Sequence, residues 1–229
     1  MILTSHSNMG DFLFTWAVAN WYYQTKNEKI HWVFPEANGK NCPIERVLHY
    51  KKLEKLLLYQ DFTEKISYVD APWQPFWNPA DFGIEGSYAN FGIWTRPYEY
   101  VSKFYADRYG FEFDPKYVIK YRNVEVPSHE DVWIETAPWR DNIGSLKQVI
   151  PANCVELKHS DDVEYNINLA AKAKNVWTNG GGFTILMDLC NVSTIIYKTR
   201  AEYDLGDKPA FRWLSYPNQG YVEHKYILT

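Results

Sequence analysis

The sequence predicts an α/β fold in two successive halves, and three observations predict it. Short apolar runs recur along the chain, and most of them lead into a longer stretch with apolar residues at helical spacing. That alternation is the grammar of β-α-β units, which build parallel sheets. The same grammar then starts again past the middle of the chain.

In the first half, Met1 to Ser5 reads as a short buried strand and Gly10 as the punctuation after it. Asp11 to about Lys26 reads as a helix, with Phe12, Leu13, Trp16, Ala19 and Tyr23 on one face. Asn27-Glu28-Lys29 is a turn, and Ile30 to Phe34 is a second strand. Pro43 to about Tyr59 is a helix with Pro43 suited to its first turn and Ile44, Val47, Leu48 and Leu56 on its stripe. Ile66 to Val69 is a third strand. Residues 71–96 differ in kind, being rich in Trp, Phe, Tyr, Pro and Gly without sustained periodicity. Helix resumes at Pro97 and stops near Gly110, and Phe111 to Asp131 is irregular or extended.

In the second half, Val132 to Thr136 is a strand, Asn142 to Val149 a short helix and Cys154 to Leu157 a strand. Asp162 to Lys174 is a helix with acids at its start, as the helix dipole prefers, and the run HSDDVE reads as its solvated beginning. Val176 to Thr178 is a strand, Asn179 to Gly182 a turn, Phe183 to Asn191 a helix and Ser193 to Lys198 a strand. The expectation is two Rossmann-like domains, 1–112 and 113–229, facing each other across a cleft. Open α/β sheets bind ligands beyond the carboxyl ends of their strands.

Composition narrows the function. The chain has 229 residues, 46% hydrophobic and 23% charged, which is a globular balance and excludes a disordered chain. Aromatics reach 17%, and such rings serve both cores and stacking surfaces. The net charge of -4 gives no overall basic field of the kind a non-specific polyanion binder carries. Cys42, Cys154 and Cys190 are sparse, odd in number and without a CxxC pair, so a reducing compartment is expected and a zinc site is not. No apolar stretch approaches the roughly 20 residues that span a bilayer. The N-terminus has no basic leader pattern, so the expected location is the cytoplasm.

The most informative stretch is VWTNGGGFTILMDL. A strand runs into three glycines and a helix follows at once. Glycines let a backbone approach a ligand closely, and a helix N-terminus offers unpaired N–H groups with a partial positive charge. Phosphate or diphosphate suits that place; a tight strand-to-helix turn without a ligand is the other reading. It is neither GxGxxG nor a Walker A loop, since no Lys follows, which disfavours an ATPase.

Two stretches together carry a family resemblance. ILTSHSNMGDFLFTWAVANW resembles the N-terminus of the heptosyltransferase-like glycosyltransferases, where a first strand leads to a Gly-Asp pair and an apolar helix. AAKAKNVWTNGGGFTILMDLCNVSTIIY resembles their second-domain signature, where a helix and strand lead to a glycine-rich turn that grips the donor. The resemblance implies a compact, metal-independent GT-B glycosyltransferase with a nucleotide-sugar as donor substrate and no other cofactor. It implies inversion at the anomeric carbon, with Asp11 as general base for the acceptor hydroxyl. It places Asn179, Gly180, Gly181, Gly182 and Thr184 at the donor, with Thr136 and Arg140 from the loop ETAPWRDN beside the diphosphate, where Arg offers a bidentate fork. Asn8, Gly10 and Trp94 fall on the acceptor side. The donor turn carries Asn179 where the family has an acid, and Thr184 where it has a histidine.

Each candidate has a plainer reading beside it. An acid in a first helical turn, as Asp11 is, favours the dipole by about 0.3–1 kcal/mol without any catalysis. His6 is an alternative base on the same loop, and Glu135 and Glu156 are candidate ribose acceptors on strands that also face solvent. The aromatics of residues 73–100 suit either sugar or base stacking or a satellite core. No D-x-D motif occurs, so no metal site is expected. The acceptor is a saccharide on the family's pattern. A hydroxymethylated DNA base is the second possibility, since the aromatic loop suits a flipped base and Arg96, Lys103, Arg108, Lys116, Lys120 and Arg122 give local basic density. A non-catalytic nucleotide-binding module is the third.

Overall fold

The computed structural model describes residues 1–5, 9–36, 44–72, 77–91, 118–134, 147–157, 162–198, 200 and 225–228. It is α/β with two wholly parallel sheets, one in each of two compact units: Met1–Pro97 with Val101–Asp114, and Tyr98–Tyr100 with Pro115–Thr229.

The first unit holds β1 (Ile2–Ser5), α1 (Met9–Lys26), β2 (Ile30–Pro35), α2 (Ile44–Leu58), β3 (Thr63–Val69) and β4 (Tyr88–Phe91), with strand order β3-β2-β1-β4. Strand parity divides its residues. Leu3, Trp32 and Phe34 share the face on which α1 and α2 pack, whereas Ile2, Thr4 and Val33 share the other. On the helical face Phe12 is the hub. Its ring meets Trp16, Trp32, Phe34 and Tyr50 edge-on, at centroid separations of 5.6, 5.5, 5.2 and 5.2 Å. This is the geometry that aromatic quadrupoles favour. Phe12, Leu13, Trp16 and Ala19 are all 0% exposed, as the helical spacing predicts, while Tyr23 is half-buried. Asn27 ends α1 in the left-handed region at φ 54, returning its N–H to the Tyr23 carbonyl at 2.8 Å.

Two features of this unit differ from the sequence reading. Helix α1 begins at Met9, so Gly10 sits inside its first turn rather than before it, while Asp11 stands in that turn as expected. Gly10 is therefore a helical residue and not the hinge between strand and helix. And β4 arises from the aromatic stretch where no strand was expected, because β1 has a second edge to pair and Ile2 to Ser5 take Tyr88 to Phe91 there. Trp77, from the same stretch, is 7% exposed and packs with Ile2, Val33 and Ala71, and Phe82 of a short 3-10 turn (Pro79–Phe82) meets it edge-on at 5.4 Å. That ring belongs to a satellite core.

The second unit holds β5 (Asp131–Ile134), β6 (Val155–Glu156), α3 (Val163–Lys172), β7 (Asn175–Thr178), α4 (Gly182–Leu189), β8 (Ile195–Lys198) and β9 (Lys225–Leu228), in the order β6-β5-β7-β8-β9. Every residue of β5 is buried, as a central parallel strand requires. α4 is buried along almost its whole length, and its end closes with Asn191 at φ 61 and Val192 N–H on the Met187 carbonyl at 2.8 Å. The expected helix 97–110 lies outside the described residues, as does most of the one expected at 142–149, of which residues 147–149 are helical.

Candidate functional site

Strand order locates the binding edge of each sheet. Ligands of open α/β sheets sit beyond the carboxyl ends of the strands, where the order reverses. In the second unit the chain steps from β5 outward to β6 and then returns to the other side of β5 for β7. The reversal lies between β5 and β7, so the glycine turn leaves the sheet beside it.

The turn is built by its neighbours. Thr178 ends β7 fully buried, and its Oγ1 accepts the Gly180 N–H at 3.1 Å. The Thr184 hydroxyl, one turn into α4, lies 3.5 Å from the same Oγ1. Asn179 is 1% exposed and Thr184 3% exposed, so the turn is packed rather than a surface loop. Gly180 has φ 92, and Gly181 has φ 90 with ψ -162. The second combination is essentially closed to any residue with a Cβ. Gly182 has no such demand and opens α4. The three glycines therefore do different work: two bend the chain, and the third begins a helix.

What the bend delivers is a bare helix end. Gly181 occupies the cap position and makes no side-chain cap. Its carbonyl takes the N–H groups of Thr184 at 3.1 Å and Ile185 at 3.4 Å. Among the described residues, nothing accepts from the N–H groups of Gly181, Gly182 or Phe183. No acid stands in the first turn of α4. α3 is the contrast within the same sheet: Asp162 caps it through Tyr165 N–H at 2.9 Å, and Glu164 stands in its first turn. One helix start thus meets the protein's own carboxylates, and the other meets none among the described residues.

In the first unit the reversal lies between β1 and β4. β1 runs at its carboxyl end into residues 6–8 and then α1, where Asp11 is the third helical residue. Thr4, 0% exposed on the face away from α1, has no hydrogen-bond partner for its hydroxyl among the described residues. Thr178, whose hydroxyl holds the glycine turn, carries no signal in the sequence; a Thr at a strand end is ordinary until the turn after it is seen.

Of the residues singled out in the sequence, Asn179, Gly180 and Gly181 form the turn at the end of β7, and Gly182 and Thr184 lie in the first turn of the helix that follows. Asp11 and Gly10 are placed as backbone in α1. Glu156 is exposed on β6. His6, Asn8, Trp94, Glu135, Thr136 and Arg140 lie outside the described residues. The described residues contain no group of three or more His, Cys, Asp and Glu able to hold a metal ion. None of their helices is long and apolar enough to cross a membrane.

No protein-family model matches this chain. No curated protein matches it either. Among solved structures, the chain is similar to E. coli heptosyltransferase WaaC with ADP, at 14% identity and a TM-score of 0.49, over 100% of this chain and 93% of that one.

Proposed function

We propose that this protein is a metal-independent glycosyltransferase of the GT-B kind, transferring a sugar from a nucleotide-diphosphate donor to a hydroxyl acceptor with inversion. The observation that carries the reading is the bare start of α4: a glycine bend at the order reversal of a parallel sheet, leading to N–H groups with no acceptor among the described residues and no acid in the first turn of the helix. A diphosphate matches it in charge and in hydrogen-bonding demand.

In this reading the second unit takes the donor and the first the acceptor. The phosphates lie on the N–H groups of Gly181, Gly182 and Phe183, with Asn179 and Thr184 shaping the turn and Thr136 and Arg140 beside it. Asp11 accepts the proton of the acceptor hydroxyl as that oxygen bonds to the anomeric carbon from the face opposite the leaving group. The bond from the anomeric carbon to the diphosphate oxygen breaks, and the charge developing there meets the helix N-terminus and the Arg140 guanidinium. Asn8, Gly10 and Trp94 line the acceptor side. A saccharide acceptor is preferred to a modified DNA base. Of the groups the DNA reading draws on, Trp77 is in the core and Arg122 lies 3.9 Å from the Glu164 carboxylate.

The test is thermal denaturation against a panel of ADP-, UDP- and GDP-sugars and the free diphosphates. A true donor at 100 times its dissociation constant stabilises the fold by about 2.7 kcal/mol. A flat response to every nucleotide at millimolar concentration overturns the reading. Stabilisation without turnover toward any acceptor or water leaves the non-catalytic module in its place.

A further inference from the structure

Residues 118–129 belong to no helix or strand, yet their backbone is not left to solvent. Two side chains of α3 take the place of a neighbouring strand. Glu164 and Asn168 lie one helical turn apart on the same face, 7% and 3% exposed. The Arg122 N–H donates to Glu164 Oε1 at 3.1 Å, and the Val124 N–H donates to Asn168 Oδ1 at 3.2 Å. Asn168 Nδ2 donates in return to the Arg122 carbonyl at 2.8 Å. One side-chain amide thus offers a donor and an acceptor to residues two apart, as a strand edge does. Upstream, the Ile119 N–H donates to the Leu189 carbonyl at the end of α4 at 2.7 Å. Ile119 and Val126, 2% and 8% exposed, anchor the two ends, with Lys120, Arg122, Asn123 and Glu125 exposed between them.

We propose that residues 118–126 are a strap that docks on α3 and α4 as one piece and releases as one piece while the five-stranded sheet stays folded. Its bonds come from side chains of a helix and from a helix end, not from a sheet ladder, so breaking them leaves every strand pair intact. A buried carboxylate and a buried amide are a poor way to gain stability where apolar side chains would fit. They do fix register, since a slip of one residue faces donors with donors and acceptors with acceptors. The location makes the strap a conformational device. The second unit takes up the chain at Pro115, so the strap is its first described segment. It begins on α4, the helix whose other end carries the glycine turn. This inference does not depend on what the turn binds.

Native-state hydrogen exchange on the full chain, across low urea concentrations, tests it. The amides of Ile119, Arg122 and Val124 should exchange through one shared opening, less protected and less urea-dependent than the amides of β5 and β7. Asn168→Leu removes both of that side chain's bonds to the strap at similar volume. It should lower protection of the strap amides by about 10- to 100-fold, the effect of two net hydrogen bonds, with β5 and β7 protection unchanged. If the wild-type strap amides exchange only with the sheet, or if the variant lowers strap and sheet together, the strap is part of the global core and the proposal is overturned. The wild-type measurement decides the matter even where the variant does not fold.

Discussion

Gly181→Ala is the most informative single change in the glycine turn. Gly181 sits at φ 90 and ψ -162, a region that side chains with a Cβ do not occupy without strain. An alanine there should destabilise the fold by about 1–3 kcal/mol, which for a chain of this size lowers the melting temperature by about 2–12 °C. Gly182→Ala is the internal control. Gly182 is the first residue of α4 and is not among the positive-φ glycines, so alanine should be neutral or stabilising by up to about 1 kcal/mol. Gly181→Val adds bulk where a phosphate would approach, so it should abolish nucleotide-diphosphate binding in a protein that still folds at lower temperature. Circular-dichroism melts and isothermal titration with ADP and UDP read both effects. Equal melting temperatures for wild type and Gly181→Ala, or equal losses at Gly181 and Gly182, would refute the division of labour within the triplet. Unchanged nucleotide affinity in folded Gly181→Val would reduce the turn to a bend.

Three further outcomes are expected. Phe12→Ala removes the hub of the aromatic core and should destabilise by about 3–5 kcal/mol in urea unfolding; a loss below about 1 kcal/mol would mean that the rings around it collapse freely. Burial, followed by the charge of Asp131, pushes the Cys154 thiol up to about 12, and Cys190 is buried. In a Cys42→Ser variant, disulfide exchange with Ellman's reagent at pH 8 should therefore run about 10- to 100-fold slower than for a free thiol, and a fast phase would contradict this packing. Burial, with help from Lys65, holds the His31 ring below the ordinary histidine range despite the opposing charge of Glu64. The folded state then resists protonation that the unfolded state accepts. Its contribution is fully present above the unfolded value of about 6.5 and is lost as pH falls through the lower folded value. Melts from pH 7.5 to 5 should fall less steeply in His31→Gln than in wild type.

Much of the parallel α/β plan is legible in the sequence because its strands are short apolar runs and its helices carry apolar residues at helical spacing. Phe12, Leu13, Trp16 and Ala19 announce the buried face of α1 in this way. The glycine triplet is legible because a bend with positive φ leaves a compositional mark. What escapes is decided by tertiary context. Tyr88–Phe91 has no strand pattern and becomes β4 because β1 needs a neighbour. The run HSDDVE looks solvated, and Asp162 does cap α3 in the open, but Glu164 is buried because the strap brings it a backbone N–H. Thr178 cannot be told from any other strand threonine until Gly180 turns its N–H back onto it. Gly10 reads as a hinge because glycine so often is one, yet α1 starts before it.

Sugar transfer with Asp11 as the base, as proposed, is tested most directly by the release of nucleoside diphosphate from a nucleotide-sugar. The donor is the one that stabilises the protein in the thermal screen, and turnover is followed with and without candidate saccharide acceptors. Wild type should release diphosphate in an acceptor-dependent manner without added metal. Asp11→Asn, which keeps the size of the side chain at the start of α1, should bind the donor as tightly and melt at the same temperature while turning over about 10²–10⁴-fold more slowly. Near-normal turnover in Asp11→Asn, or no release from any donor that binds wild type, would contradict the account.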